Sequence, residues 1–336
     1  MPVCVVLDSN IWFSNLLLRT PISLALLHGI VLADNRIALP EVIEKEILIR
    51  TKQRGTEILN DARKSIQLLK YYSEDANMAM DLLPTLDTIS RALPKRLDEL
   101  SKHIIRHEHS YSEMQKALDM VIRRLPPNSE KNQQYKDSLI WQCVLSIADD
   151  YFVHFITKDK GFFKDRSYTQ GPADNICEDI SSKKDRIRIY YELESCTEIL
   201  HTFDRTLDEE VIYQRILQAS KSEIDKHLLR EGFFPKKRKN AALRSFFTND
   251  PSKIAIQFNM EYELGELYRH EECQNAWLIL GGNCLVSVEN LEISHLKIES
   301  LGWSIHPMSS SSVSSSMREI EEWPGDGILI YGEMKE

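Results

Sequence analysis

The chain opens with Val3-Cys4-Val5-Val6-Leu7-Asp8, a short apolar run that ends in an acid. Such a run is typical of a strand buried on both faces, as strands are in a parallel sheet. A helical pattern follows at residues 22–28, with Gly29 expected to end it. Residues 36–39 predict a second strand, and Pro40 suits the first turn of the next helix. This alternation predicts an α/β domain with a parallel sheet.

The next region has a different pattern. Residues from about 51 to 131 are rich in charged residues and leucine and show little strand pattern, so we predict several helices inserted into the α/β domain. The core pattern returns at residues 136–148, and strands are expected at 151–156 and 187–191. Because the alternation resumes after the insertion, we assign residues 1–192 to one domain.

After about residue 192 we expect two further parts. Residues 193–250 predict a helical connector, with helices at about 195–202 and 207–229 and a solvated basic run, Lys236-Lys237-Arg238-Lys239. Residues 251–336 show the period of strands and predict a small, mainly-β domain. In this domain we expect a turn at Gly281-Gly282-Asn283, a flexible serine-rich loop at 309–316 and a last strand at 328–331.

Composition excludes several classes of protein. With 336 residues, of which 42% are hydrophobic, most of the chain cannot be disordered. It has no apolar stretch of the roughly 20 residues that a membrane helix needs, and no basic leader, so we expect neither a membrane span nor a signal peptide. The six scattered cysteines form no CxxC pair, which favours a reducing cytoplasm. A net charge of −9 argues against general coating of nucleic acid but permits a local basic patch.

Four acidic residues stand out by their positions. Asp8 and Asp159 each follow a predicted strand, and the site of an open parallel sheet lies outside the carboxyl ends of its strands. Glu46 lies on the helix after the second strand, and Asp137 lies near the start of a later helix. Each residue taken singly also fits a structural role: a helix cap or turn for Asp8 and Asp159, a solvated helix face for Glu46, and a favoured helix N-terminus for Asp137.

Together these segments resemble the PIN-domain nuclease family. The matching segments are Asp8 with Asn10, residues 40–47 with Glu46, Asp137-Ser138-Leu139-Ile140, and Thr157-Lys158-Asp159-Lys160-Gly161-Phe162. The resemblance covers about residues 1–190 without the insertion, and it is strongest to longer prokaryotic PIN proteins that carry an inserted helical region. It implies a PIN-like parallel sheet flanked by helices.

The resemblance also implies a chemistry. Asp8, Glu46, Asp137 and Asp159 would be the catalytic residues and bind divalent metal, while Asn10 and Thr157 would position ligands or substrate. Crowded carboxylates raise each other's pKa unless a cation neutralises them, and oxygen ligands suit Mg²⁺ or Mn²⁺. Members of the family cleave RNA, and some cleave DNA, leaving 5′-phosphate and 3′-hydroxyl ends.

The sequence departs from the family at one position. Some members carry a further acid two residues after the last metal ligand, where this chain has Gly161. Asp165 is the alternative, but Lys164 and Arg166 beside it favour a solvated loop. The sequence therefore supports a second metal site less strongly than the first.

Three groups of charged residues have two interpretations each. Lys158, Lys160 and Lys164 around Asp159 form either a contact for a nucleic-acid backbone or a charged surface loop. The run Lys236, Lys237, Arg238 and Lys239, with phenylalanines nearby, forms either a single-strand contact or a solvated linker. His103, His107 and His109 have a metal-like spacing, but no carboxylate or cysteine spacing accompanies it, so we expect a surface cluster on a helix.

We therefore predict a cytoplasmic, Mg²⁺- or Mn²⁺-dependent nuclease that acts on nucleic acid, with RNA favoured and the β domain selecting substrate or partner. One rival is a nuclease for structured DNA, with the insertion as a clamp. The other is a PIN-like scaffold that binds RNA or protein without cutting. The sequence does not separate a toxin or defence effector from an enzyme of RNA maturation. It also leaves open an inhibitor protein and self-association into a homo-oligomer.

Overall fold

The computed structural model describes residues 1–72, 82–196, 199–203, 207–228, 232–266, 273–307 and 328–330. The chain divides into two compact units, one of residues 1–17 and 30–196 and the other of residues 18–29 and 197–336. Among the described residues, no helix is both long enough and apolar enough to cross a membrane.

The first unit is built on a parallel sheet of five strands in the order β3-β2-β1-β4-β5. The strands are β1 Val3–Leu7, β2 Arg36–Pro40, β3 Ile104–His107, β4 Phe152–Ile156 and β5 Ile187–Tyr190. The central strand β1 is almost wholly buried and pairs with β2 on one side and β4 on the other, with Val5 opposite both Ile37 and His154. The predicted parallel α/β fold is confirmed.

Helices connect these strands. They are α1 Ser9–Ser14, α2 Pro21–Leu32, α3 Glu41–Leu69, α4 Leu86–Ser90, α5 Ala92–Glu99, α6 Tyr111–Ile122, α7 Tyr135–Ile147 and α8 Asp174–Ser182. The longest, α3, begins directly after β2 and has 29 residues. The first turns of α3 and α7 contain Glu46 and Asp137, the two candidate ligands that do not follow a strand.

Two expectations for this part of the chain were wrong. The insertion is not purely helical, because β3 lies within it and pairs with β2; only four residues long, it gave too short a pattern to detect. Gly29 does not end α2, which continues to Leu32. A Cβ atom at Gly29 would lie 1.9 Å from the carbonyl oxygen of Ile199, so this glycine permits a close approach of backbone.

The second unit contains an antiparallel sheet in the order β10-β9-β8-β7-β6. The strands are β6 Phe233–Phe247, β7 Lys253–Glu266, β8 Cys273–Ser287, β9 Ile293–Pro307 and β10 Ile328–Ile330. Helix α9, Glu209–Leu228, contributes Ile212 and Ile216 to a core that also contains Ile256 and Leu278 from the sheet. The mainly-β character predicted for this region is confirmed.

Several predicted details of this unit differ from the structure. The basic run at 236–239 is not part of a helical connector but lies in the edge strand β6, where Arg238 pairs with Tyr262 of β7. Gly281-Gly282-Asn283 is not a turn but part of β8, where the register shifts against β9. At Gly282 a Cβ atom would lie 2.1 Å from the carbonyl oxygen of Lys297, so glycine is required there for close strand pairing.

Two more predictions concern the ends of this region. The helix expected at 195–202 is not found in its described part, where Leu193–Ser195 form a 3₁₀ turn and Thr202 makes an isolated bridge to Phe246. The serine-rich loop at 309–316 lies outside the described residues.

Candidate metal centre

The candidate site begins where two neighbouring strands end. β1 and β4 lie side by side, and the chain builds outward from β1 on one side through β2 and β3 and on the other through β4 and β5. Asp8 follows β1, and Thr157 and Asp159 follow β4. This is the switch point of an open parallel sheet, where the ends of adjacent strands leave a crevice for a ligand.

Asp8 is held in place by hydrogen bonds from three residues, Ser9, Asn10 and Thr157. It is only 2% exposed and caps α1, where its Oδ1 accepts from the Ser9 amide at 2.6 Å. Its Oδ2 accepts from the Thr157 hydroxyl at 2.6 Å and from the Asn10 side-chain amide at 2.8 Å. Burial nevertheless raises the pKa of Asp8 to about 6, against the effect of the hydrogen bonds and with a smaller contribution from the charges of Glu46 and Asp159.

Asp159 is fixed by a similar set of bonds. Its Oδ1 accepts from the Gly161 amide at 2.7 Å, and its Oδ2 accepts from the Gln134 side-chain amide at 2.8 Å. The backbone amide of Asp159 donates to the Thr157 hydroxyl oxygen at 3.0 Å. Since the same hydroxyl donates to Asp8, Thr157 sets the spacing between the two aspartates.

Glu46 and Asp137 complete the group from α3 and α7. Glu46 Oε1 accepts from Lys136 Nζ at 2.5 Å, while Glu46 Oε2 is buried without a hydrogen-bond partner among the described residues. Burial, together with the charges of Asp8, Asp159 and Glu46, raises the pKa of Asp137 to about 7. The structure therefore brings all four predicted acids within electrostatic reach of one another.

The donor set fits a hard divalent cation. It consists of carboxylates, the ligands that Mg²⁺ and Mn²⁺ prefer, and partly buried like charges within electrostatic reach of one another repel each other. A buried carboxylate oxygen without a hydrogen-bond donor, as at Glu46 Oε2, is costly unless a cation binds it. A metal ion held by Asp8, Glu46, Asp137 and Asp159 would relieve both costs.

The family comparison agrees with this geometry. Residues 5–162 match the sequence model of the PIN domain, a span that runs from β1 past β4 and contains all four acids. These residues are a PIN domain. PIN domains are in general nucleases that use divalent metals, and their substrates are nucleic acids. No curated protein matches the chain.

The PIN domain leaves no room for a further acid at position 161. A Cβ atom on Gly161 would lie 2.7 Å from the carbonyl oxygen of Pro127 and 2.9 Å from Gln134 Oε1. A side chain at this position would push against the backbone and against the residue that holds Asp159. Asp165, the alternative acid, is exposed and has a left-handed backbone with φ of 51°.

Sequence reasoning missed three residues at this site. Gln134 orients Asp159, and Lys136 and Arg50 both approach Glu46. The spacing of Arg50 four residues after Glu46 on one helix, and the position of Lys136 beside Asp137, were signals that could have found two of them. Gln134 lies in a polar segment before α7, and its sequence context carries no such signal.

The basic residues near the PIN-domain site differ in their contacts. Lys158 and Lys160 are exposed, whereas Lys164 Nζ lies 3.3 Å from Asp174. The backbone amide of Lys158 donates to Asn10 Oδ1 at 3.3 Å, so the backbone of Lys158 lies beside the candidate ligands.

The basic run of β6 is partly neutralised within its own unit. Lys236 and Lys239 pair with Glu263 at 3.9 Å and 3.2 Å, and Arg238 pairs with Glu210 at 2.6 Å. Lys239 Nζ also lies 5.3 Å from the centre of the Trp277 ring.

The three histidines do not form a surface cluster on a helix, as we had expected. His103 lies in a 3₁₀ turn, and His107 ends β3 and donates from Nε2 to Glu113 Oε1 at 2.9 Å. Ligand atoms of His107, Glu113 and Cys143 lie within 4.8 Å of one another. Both Glu113 oxygens are already engaged, one in the capping box of α6, and burial raises the pKa of the Cys143 thiol to about 12. The group is explained as the N-terminal cap of α6.

Proposed function

We propose that this PIN domain is a Mg²⁺- or Mn²⁺-dependent nuclease that hydrolyses phosphodiester bonds, with RNA as the favoured substrate. One observation carries the proposal: four carboxylates lie within electrostatic reach of one another, the pKa values of Asp8 and Asp137 are raised, and one oxygen of Glu46 is buried without a donor among the described residues. Perturbed carboxylates at the end of a sheet are typical of catalytic sites.

Asp8, Glu46, Asp137 and Asp159 would hold the metal. When bound, the metal supplies an activated water for attack on the phosphodiester and stabilises the leaving oxygen. The protein contributes rigidity, because Thr157 and Asn10 hold Asp8 while Gln134 and the Gly161 amide hold Asp159. Ligands fixed in this way lose little freedom when the cation binds.

The same charges restrict substrate binding. Without a cation, four carboxylates in a partly buried pocket repel a phosphodiester, so we expect nucleic acid to reach the pocket only after the metal has bound. This order also protects nucleic acid from unproductive binding. Metal and substrate affinity should therefore depend on one another.

We further propose that the second unit helps to select the substrate. Its support is the edge strand β6, in which Lys236, Lys237 and Lys239 are exposed and Phe234 is 39% exposed. Exposed lysines beside aromatic rings suit a single-stranded nucleic acid. Cys4, Cys143, Cys177, Cys196 and Cys284 are free thiols, which supports a reducing compartment such as the cytoplasm.

The test is cleavage of labelled single-stranded RNA and flap DNA with Mn²⁺. Asp8→Asn and Asp159→Asn should each lower the rate by at least about 100-fold, since loss of groups that only support metal ligands already costs 10- to 100-fold. The exposed Asp119→Asn on α6 is the matched control and should cut like the wild type.

Each outcome selects one function. Preference for RNA supports the proposal, and preference for flap DNA assigns the enzyme to structured DNA. If the folded wild type neither cuts nor gains thermal stability from Mn²⁺, the domain is a non-catalytic scaffold, because a ligand that binds the folded state must stabilise it.

A further inference from the structure

Two cations meet at one oxygen of Glu46. Lys136 Nζ lies 2.5 Å from Glu46 Oε1, and the Arg50 guanidinium lies 3.8 Å from the same atom. The other oxygen, Oε2, is buried without a hydrogen-bond partner among the described residues. Glu46 therefore has one oxygen beside cations and one without any donor.

The two cations are accessible from solvent, although Glu46 is not. The side chains of Arg50 and Lys136 are 41% and 47% exposed, whereas that of Glu46 is 14% exposed. An anion that approaches the acidic pocket from solvent can thus reach both cations. Their pairing with Glu46 is a partly exposed contact, which is weak and exchanges readily.

Arg50 is also held in place from a second side. Its guanidinium carbon lies 4.7 Å from the centre of the Phe13 ring on α1, the helix that Asp8 caps. Stacking on an aromatic ring restricts the guanidinium and leaves its edge donors available. A planar guanidinium with a nearby ammonium is a favourable set of donors for a phosphate group.

We infer that Arg50 and Lys136 form a binding site for a backbone phosphate of the nucleic acid beside the four carboxylates. This inference rests on the proposed nuclease function. A polyanion that enters a pocket with four carboxylates is repelled, and two cations at its edge offset that repulsion for the phosphate next to the scissile bond. In the free protein Glu46 Oε1 occupies the donors that the phosphate would use.

The experiment measures binding apart from cleavage. Fluorescent single-stranded RNA is titrated in Ca²⁺, which takes the same oxygen ligands, against the protein with all four carboxylates, alone and combined with Arg50→Gln, Lys136→Gln or both. Each substitution should weaken affinity about fivefold to tenfold and lower the slope of log affinity against log salt by about one ion. Lys52→Gln, an exposed lysine on the same helix as Arg50, is the control and should change neither.

Two more readouts separate phosphate binding from support of the metal. In the otherwise wild-type protein, Arg50→Gln and Lys136→Gln should raise KM with little change in kcat, and Arg50→Lys should recover part of the loss. Stabilisation by Mn²⁺, followed as the change in Tm, should remain in both variants.

The inference is overturned if the double variant binds RNA with unchanged affinity and salt slope. It is also overturned if either variant loses its stabilisation by Mn²⁺, because the cations would then serve the acidic pocket itself. Failure of the proposed function looks different: the wild type neither cuts nucleic acid nor responds to Mn²⁺.

Discussion

The candidate metal centre of the first unit and the surface around β6 in the second unit hold their carboxylates in opposite ways. In the first unit, burial raises the pKa of Asp8 to about 6 and that of Asp137 to about 7. In the second, hydrogen bonds from Arg238 and Lys239 lower the pKa values of Glu210 and Glu263. At the candidate metal centre, Asp8 and Asp137 have raised pKa values, whereas the acids around β6 are paired with bases at the surface.

This contrast separates charges that serve the fold from charges that oppose it. A paired surface carboxylate contributes little to the free energy of unfolding, and its charge does not have to be compensated by other parts of the fold. A buried group of four like charges must be compensated by other parts of the fold, here by the buried apolar strands β1 and β4 on which Asp8 and Asp159 depend. Carboxylates whose burial and mutual repulsion destabilise the fold are typical of a functional site.

Among the substitutions that compare the two units, the largest effect should come from Gly161→Ala. The new methyl group would meet the Pro127 carbonyl and Gln134, and Asp159 Oδ1 lies 3.1 Å away, so the ligand must shift. We expect a 10- to 100-fold loss of cleavage, the range for disturbed support of metal ligands, and a loss of roughly 1 to 3 kcal/mol from overpacking. Cleavage rate and urea denaturation measure the two effects.

The matched substitution in the second unit is Gly282→Ala. It also forces a methyl group against backbone, 2.1 Å from the Lys297 carbonyl, and should lower stability at least as much. Per folded molecule, it should leave cleavage of a short oligonucleotide unchanged. Equal losses of cleavage in both variants would contradict the division of roles between the two units.

The next prediction concerns how the free energy of unfolding depends on pH and on the Asp137 carboxylate. The pKa of Asp137 rises from its ordinary 3.8 to about 7 on folding, so its contribution to stability is full below pH 4 and is lost as the pH rises through about 7. Asp137→Asn should therefore match the wild type near pH 4 and, without metal, be more stable at pH 8 by roughly 1 to 3 kcal/mol. Thermal unfolding in EDTA at both pH values measures this.

Bound metal should reverse the sign of this difference in stability between the wild type and Asp137→Asn. With Mn²⁺ at pH 8, the wild type gains stability through four carboxylates, whereas Asp137→Asn has lost one of them and should gain less. Glu263→Gln in the second unit keeps all four carboxylates and should gain as much stability from Mn²⁺ as the wild type does. If Asp137→Asn is the less stable protein even in EDTA at pH 8, its carboxylate supports the fold and does not oppose it.

The sequence predicted the part of the site that depends on strand ends. β1 is a continuous apolar run and β4 is interrupted only by His154, and the residues after them meet at one edge of a parallel sheet, so Asp8 and Asp159 could be paired in advance. The resemblance to PIN nucleases added Glu46 and Asp137. Their neighbours Arg50 and Lys136 were not found, because a charged residue on a helix is more often a solvated one.

The second unit was harder to predict in detail. Its strands are long, but β8 contains Gly281-Gly282-Asn283, a sequence that usually predicts a turn. Here the glycines serve close pairing at a shift in register, which depends on the facing strand β9 and cannot be read from local sequence. The basic run likewise became a strand because β7 pairs with it, although local charge favoured a solvated segment.

The smallest effect tests whether the paired surface of the second unit takes part in binding. Lys237 is exposed on β6, between lysines that pair with Glu263. If this strand contacts single-stranded RNA, Lys237→Gln should weaken binding by less than about fivefold and reduce the salt slope by about one ion, while cleavage of a short oligonucleotide stays the same. Lys221→Gln, exposed on α9, is the control. If the salt slope does not change, β6 does not bind the RNA and the first unit alone recognises it. The physical reason would be that lysines already paired with carboxylates release few counterions when nucleic acid binds.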